Sequence, residues 1–288
     1  MSNEQVIERW KERATDPEIA AQLADLLASG DADAIEDAFY RSLEFGTAGL
    51  RGVLGAGTNR MNIYTVGQAT QGLCDYLNAH KAEGATPSLA ICYDSRINAD
   101  LFARETAAIA AGNGIVAHIY PRLQPTPALS FAVRYLKCDA GVNVTASHNP
   151  AKYNGYKVYG PDGCQIASEM ADEIQATIQK TDAFDDVKKV DFEEGLASGM
   201  IKWISDETLE AFLDAVQAQS VTAAGDDAAQ LKLVYTPLNG TGLETVTKIL
   251  NRIGIDDITV VPEQATPDGN FPTCCWPPTP TPTAWARP

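Results

Sequence analysis

Six consecutive residues, Thr145, Ala146, Ser147, His148, Asn149 and Pro150, set a hydroxyl beside an imidazole and then turn the chain at Asn-Pro. A serine so placed can act as a nucleophile or carry a phosphoryl group; the bland alternative is a helix cap with a surface histidine. Ser147 sits in A-S-H rather than in G-x-S-x-G, so the pattern of acyl-transfer enzymes is absent. A second stretch, F-G-T-A-G-L-R-G at 45–52, places Arg51 among Gly46, Gly49 and Gly52. Glycines let a backbone approach a ligand closely, and a guanidinium fork suits a phosphate. No G-x-x-x-x-G-K-[ST] occurs, so this is not a nucleotide P-loop. Asp94-Ser95-Arg96 and Asn154-Gly155-Tyr156-Lys157 add two further cations. Each of these short segments also has an ordinary reading, as a turn or cap with solvated charges.

The elements around these residues alternate. Residues 1–45 read as helices, with Val6, Ile7 and Trp10 on one face, then Ile19, Leu23, Leu26 and Leu27, then Ile35, Ala38, Phe39 and Leu43. The spacing then predicts a helix at 66–77, a strand at 88–93, a helix at 101–111, a strand at 115–120, a helix at 128–136 and a strand at 140–145. Residues 156–159 read as one arm of a hairpin turned by Gly160-Pro161-Asp162-Gly163, and 170–178 as a helix. The charged stretch 181–199 is taken as a domain boundary. Beyond it come a helix at 207–216, a strand at 231–235, a helix at 243–253 and a strand at 258–261. The expected class is α/β: a layered mixed sheet with flanking helices, repeated as a second, partial α/β domain, behind a helical N-terminal leader. Ser147 and the 94–96 segment both follow strands, and in open α/β sheets ligands sit beyond the carboxyl ends of strands.

Composition narrows the function. The 288 residues carry a formal charge of −16, which opposes broad binding to nucleic acid; an anionic small substrate would need a locally cationic site. No run of about 18 apolar residues is present, so no membrane span is expected. The acidic start, with Glu4 and Glu8, does not read as a secretory signal, and a cytoplasmic location is the default. The six cysteines form no C-x-x-C pair and are expected reduced; His80, His118 and His148 are too scattered for a zinc site of paired helical histidines.

F-G-T-A-G-L-R-G, D-S-R, T-A-S-H-N-P and N-G-Y-K, in this order, closely resemble the phosphoglucomutase/phosphomannomutase family of α-D-phosphohexomutases. Y-T-P-L-N-G-T-G at 235–242 and P-D-G-N-F-P-T at 267–273 are similar to that family's second domain. The helical leader and N-R-M-N at 59–62 resemble its phosphoglucomutase/phosphopentomutase branch. The resemblance implies a leader at 1–45, domain I with a phosphoserine at 46–190 and a partial domain II at 200–273. It implies that Ser147 carries a phosphoryl group, passes it to a sugar monophosphate, and recovers the other phosphate from a bisphosphorylated sugar. Hexose 1-phosphate and hexose 6-phosphate would thereby interconvert, with hexose 1,6-bisphosphate as activator; phosphopentomutase or phosphomannomutase activity is the variant reading. His148 would position or polarise, Lys157 and Arg51 would assist as acid, base or charge stabiliser, and Thr47, Arg51, Asn149 and Lys157 would touch substrate. Arg96 would support the architecture. Mg²⁺ would sit on the Ser147 phosphate. Nothing in the sequence fixes an oligomeric state.

Three family elements do not occur in these residues: D-x-D-x-D-R, which supplies aspartates to the metal, G-E-x-S-G-H, and R-x-S-G-T-E-P. The expectation is a chain truncated within the second domain, binding Mg²⁺ weakly or not at all and turning over little substrate. Residues 274–288 hold five prolines, two tryptophans and no acid. They read either as an out-of-frame segment or as a Pro/Thr-rich ligand able to form polyproline II. The second option makes the chain a non-catalytic binding or regulatory module.

Overall fold

The computed structural model describes residues 2–46, 48–220 and 230–274. The predicted tail from Cys275 on, and Thr47, therefore lie outside the described residues.

The leader forms α1 (Asn3–Arg13), α2 (Pro17–Ala28) and α3 (Ala32–Phe39). Each begins at a polar cap. Ser2 and Gln5 form a capping box on α1, and Asp16 precedes Pro17 on α2; the Asp31 carboxylate accepts from the Ala34 amide on α3. The helices close around Trp10, which meets Phe39, Tyr64 and Phe184 edge-on at 5.4–5.8 Å. Tyr64 and Phe184 belong to the next unit, so this aromatic cluster fastens the leader to it, alongside ion pairs from Arg9 to Asp182 and Asp185.

That unit is a six-stranded sheet. Its strands are β1 (Gly49–Val53), β2 (Ser88–Tyr93), β3 (Val116–Ile119), β4 (Ala140–Val144), β5 (Tyr153–Tyr159) and β6 (Ile201–Trp203), in spatial order β1-β5-β4-β2-β3-β6. β4, β2, β3 and β6 run parallel, while β5 pairs antiparallel with both β4 and β1. β4 is buried at every position, as a strand covered on both faces must be. On one face α4 (Ile63–His80), α5 (Ala99–Gly112) and α7 (Ser168–Ile178) bury Val66, Leu73, Phe102, Ile109 and Ile174 against Leu50, Ile91, Val142 and Tyr156. On the other, α6 (Thr126–Tyr135) and α9 (Asp206–Gln217) bury Leu129, Val133 and Leu209 against Ala90, Cys92 and Tyr159.

The observed sheet departs from the sequence reading at three places. The glycine-rich stretch at 45–52 contains a strand, because Gly49–Val53 pairs in full register with β5. β5 is not a simple hairpin arm: its partners are β1 and β4, and the turn at 160–163 returns only to a single bridge between Tyr159 and Gln165. The charged 181–199 stretch is not merely irregular, since it ends in α8 (Phe192–Ser198), and β6 beyond it adds to the edge of the first sheet.

A second, smaller unit follows: β7 (Leu233–Tyr235), α10 (Gly242–Arg252), β8 (Ile258–Val260) and the short α11 (Pro262–Ala265), with β7 and β8 parallel across the α10 crossover. Val234 on β7 is 72% exposed. The unit is joined to the first by Arg122, whose guanidinium donates to both carboxylate oxygens of Glu244 at 2.8 and 2.7 Å and reaches Asp206 at 2.7 Å. Arg122 is the chief reason the Glu244 carboxyl is held down at about 2, with Lys248 helping and burial opposing. A depressed carboxyl contributes stability that is present above its unfolded value and lost as pH falls through the folded one. Glu244→Gln should therefore cost about 1–2 kcal/mol at neutral pH, after allowance for its partial exposure. In urea titrations the gap to wild type should shrink as pH drops from about 4.5 towards 2.

Candidate active site

Ser147 lies just past the carboxyl end of β4, with Ser147 and His148 both exposed. Its backbone is left-handed, φ +56°, a conformation that costs a non-glycine residue about 1–2 kcal/mol. The turn that imposes it is made by its own neighbours. The Thr145 hydroxyl accepts from the Ser147 amide at 2.9 Å and donates to Asp94 Oδ2 at 2.5 Å. Asn149 donates to the Ala146 carbonyl through both its amide (3.1 Å) and its side-chain Nδ2 (2.7 Å). The Ser147 hydroxyl faces outward, 3.3 Å from His148 Nδ1.

Arg96 holds the turn from beneath. Its Nη1 donates to the Pro150 and Tyr153 carbonyls at 3.1 and 2.9 Å, and its Nη2 to the Ser147 and Asn149 carbonyls at 2.8 and 2.6 Å. The side chain is 1% exposed and its Nε lies 3.6 Å from Asp94 Oδ2. Burial pushes the Asp94 carboxyl up, opposed by the Thr145 hydroxyl, the Arg96 amide and guanidinium and the Lys157 charge. Burial likewise lowers Arg96, opposed by Asp94. The Asn154 side chain ties the other flank, donating to the Ile97 carbonyl at 2.9 Å. Gly155 is needed where β5 passes the turn, since a Cβ there would stand 2.5 Å from the Thr145 carbonyl oxygen.

The sheet brings the other two cations to this end. Gly49 pairs with Lys157 and Arg51 with Gly155, so Arg51 and Lys157 project from the same face of neighbouring strands, their Cβ atoms roughly 7 Å apart. That face is opposite to the one on which Leu50 and Tyr156 enter the core. The Lys157 register partner on β4 is Asn143, four residues before Ser147. Lys157 is half-buried and Arg51 exposed.

Of the residues singled out from sequence, Ser147, His148, Asn149, Lys157, Arg51 and Arg96 thus gather around the β4 end, with Asn149 turned back onto the loop and Arg96 beneath it. Asp94 and Thr145, which together hold the Ser147 amide, were not singled out as individual site residues. The signal was there: each stands at the head of its motif, directly after an apolar strand. No group of three or more His, Cys, Asp or Glu that could hold a metal ion occurs among the described residues. The residues around Ser147 therefore do not by themselves supply the ligand set of a divalent cation. Among the described residues no helix is long and apolar enough to cross a membrane.

Two family profiles match the chain: "Phosphoglucomutase/phosphomannomutase, alpha/beta/alpha domain I" over residues 42–185, and "alpha/beta/alpha domain II" over 210–287. The chain belongs to the phosphoglucomutase/phosphomannomutase family. It is 38% identical over 235 residues to a phosphoglucomutase of Staphylococcus saprophyticus, covering 82% of this chain and 42% of the relative. It is 31% identical over 280 residues to a human phosphopentomutase, covering 93% and 44%. A crystal structure from Thermus thermophilus, described as a phosphomannomutase, superposes with a TM-score of 0.69 at 25% identity, over 85% of this chain and 51% of that one. The chain thus spans less than half the length of these curated relatives. The family is one of phosphohexomutase isomerases acting on sugar phosphates.

Two substitutions read the energetics of the turn. Ser147→Gly should be about 1 kcal/mol more stable than Ser147→Ala, because only glycine relaxes at φ +56°; chemical denaturation of the pair measures this. Arg96→Ala, which strands four carbonyls and the Asp94 carboxylate, should cost about 3 kcal/mol in the same assay.

Proposed function

We propose that the chain is the phosphoserine-bearing part of a phosphoglucomutase-like phosphohexomutase, with Ser147 as the phosphate shuttle. The observation that carries this reading is the exposed Ser147 hydroxyl on a strained turn at a strand's carboxyl end, with Lys157 and Arg51 on the neighbouring strands.

In the forward step the sugar hydroxyl oxygen bonds to the phosphorus on Ser147 as the bond from phosphorus to Ser147 Oγ breaks. The hydroxyl proton is relayed to the departing Ser147 Oγ, so the serine is restored as a neutral hydroxyl, and Lys157 and Arg51 offset charge on the phosphoryl oxygens. The bisphosphorylated sugar then turns over, its other phosphate returns to Ser147 Oγ, and the isomerised monophosphate leaves. His148 orients the Ser147 oxygen. A phosphoserine carries nearly two negative charges, which the two cations partly balance. The family generally uses Mg²⁺, which when bound would neutralise the phosphate further. These 288 residues contain no D-x-D-x-D-R stretch, so on their own we infer weak Mg²⁺ binding and little net turnover.

A pentose substrate is the second reading. It is favoured by the match to human phosphopentomutase, which takes in 93% of the chain against 82% for the staphylococcal phosphoglucomutase.

Incubation with hexose 1,6-bisphosphate labelled in both phosphates tests the shuttle. Label is expected on Ser147 and none on Ser147→Ala; equal label on the variant counts against the reading. Lys157→Met should slow labelling by about 100-fold. Faster labelling from ribose 1,5-bisphosphate would move the pentose reading to first place. Robust conversion of glucose 1-phosphate by the 288-residue chain would contradict the inference of low turnover.

A further inference from the structure

We propose that Phe271 and Gly269, carried by the second α/β unit, are positioning residues for Ser147 that act through Arg96. The idea deepens the shuttle reading and rests on it for its functional meaning.

The Arg96 guanidinium spends its Nη1 and Nη2 atoms in bonds to the carbonyls of Ser147, Asn149, Pro150 and Tyr153. The Phe271 ring lies over that guanidinium, its centroid 5.2 Å from Arg96 Cζ. An aromatic face there attracts the cation and keeps water off it, which strengthens each bond made beneath. Through Arg96, Phe271 therefore bears on four carbonyl contacts of the Ser147 loop.

The segment that presents the ring is built for close approach. Gly269 packs backbone to backbone on the 95–97 stretch: a Cβ there would stand 2.5 Å from the Ile97 nitrogen, 2.9 Å from the Ser95 oxygen and 3.0 Å from the Arg96 carbonyl carbon. Asp268 Oδ1 accepts from the Asn270 amide at 2.8 Å and from its side chain at 3.2 Å, and the Phe271 amide returns to the Asp268 carbonyl at 3.1 Å. The turn is anchored in its own unit by Asn239, which is 3% exposed. The Asn239 carbonyl accepts from the Asp268 amide at 3.0 Å, while its side chain donates to the Thr266 carbonyl at 2.9 Å. Phe271 itself is held at φ +50°. A rigid turn of the second unit is thus pressed onto the residue that shapes the Ser147 loop of the first.

Amide hydrogen exchange on the full 288-residue chain tests this without any substrate. Phe271→Leu and Gly269→Ala should each speed exchange of amides 146–149 by about tenfold, leaving peptides from α5 unchanged, and Phe271→Tyr should restore wild-type rates. Phe131→Leu, which removes a stacked ring on α6, should leave 146–149 alone. Unchanged exchange at 146–149 in both Phe271→Leu and Gly269→Ala would overturn the proposal. So would an equal effect of Phe131→Leu, or a matching acceleration in α5, since the turn would then act on the whole fold. Failure of Ser147 to take label from a hexose bisphosphate would overturn the shuttle reading alone, because exchange is read independently of phosphoryl transfer.

Discussion

One buried cation organises this molecule's candidate chemistry. Arg96 leaves the end of β2, crosses beneath the next strand's end, and satisfies carbonyls drawn from both sides of the Ser147 turn. A turn that holds a serine in left-handed conformation has few backbone bonds of its own and would open readily. The guanidinium substitutes for a ladder, offering donors in a fixed plane where no strand can lie. Lysine, with a single point charge, could not reach four acceptors in that geometry. Asp94 completes the arrangement from the same short segment, balancing the buried charge and fixing Thr145, which in turn holds the Ser147 amide.

The cations above this turn sit in an acidic protein. With a formal charge of −16, the chain's far field repels a sugar phosphate. On the proposed reading the attraction would come from within a few ångströms, where Arg51 and Lys157 stand closer than acids that salt screens. The arrangement favours recognition by close contact over long-range steering.

Much of the fold was legible because its helices and parallel strands announce themselves locally. The apolar run of β2 was read to the residue, and the ends of the helices given bounds lay within about three residues, because apolar spacing marks them. What escaped depends on partners distant in sequence. β1 reads as a glycine-rich turn, since Gly49 and Gly52 lower its strand propensity; only pairing with β5 makes it extended. β6 has three residues in a charged neighbourhood and exists because β3 offers it an edge. At the site, the serine, its flanking histidine and the cations were visible as motifs. The four carbonyls under Arg96 carry no sequence signature, because every residue has one. Phe271 is an ordinary aromatic until the second unit is laid against the first.

The antiparallel placement of β5 between β1 and β4 bears on how the site comes into being. Arg51 and Lys157 share a face only once chain segments about a hundred residues apart have met. Closing so long a loop is slow, and its entropic cost is met before the contacts it allows can reward it. During synthesis the parallel block of β2, β3 and β4 can assemble while β5 is still being made, but β1 must wait with its edge unpaired. The juxtaposition of Arg51 and Lys157 on this sheet face is therefore a late product of folding, absent from any intermediate in which the parallel strands alone have formed.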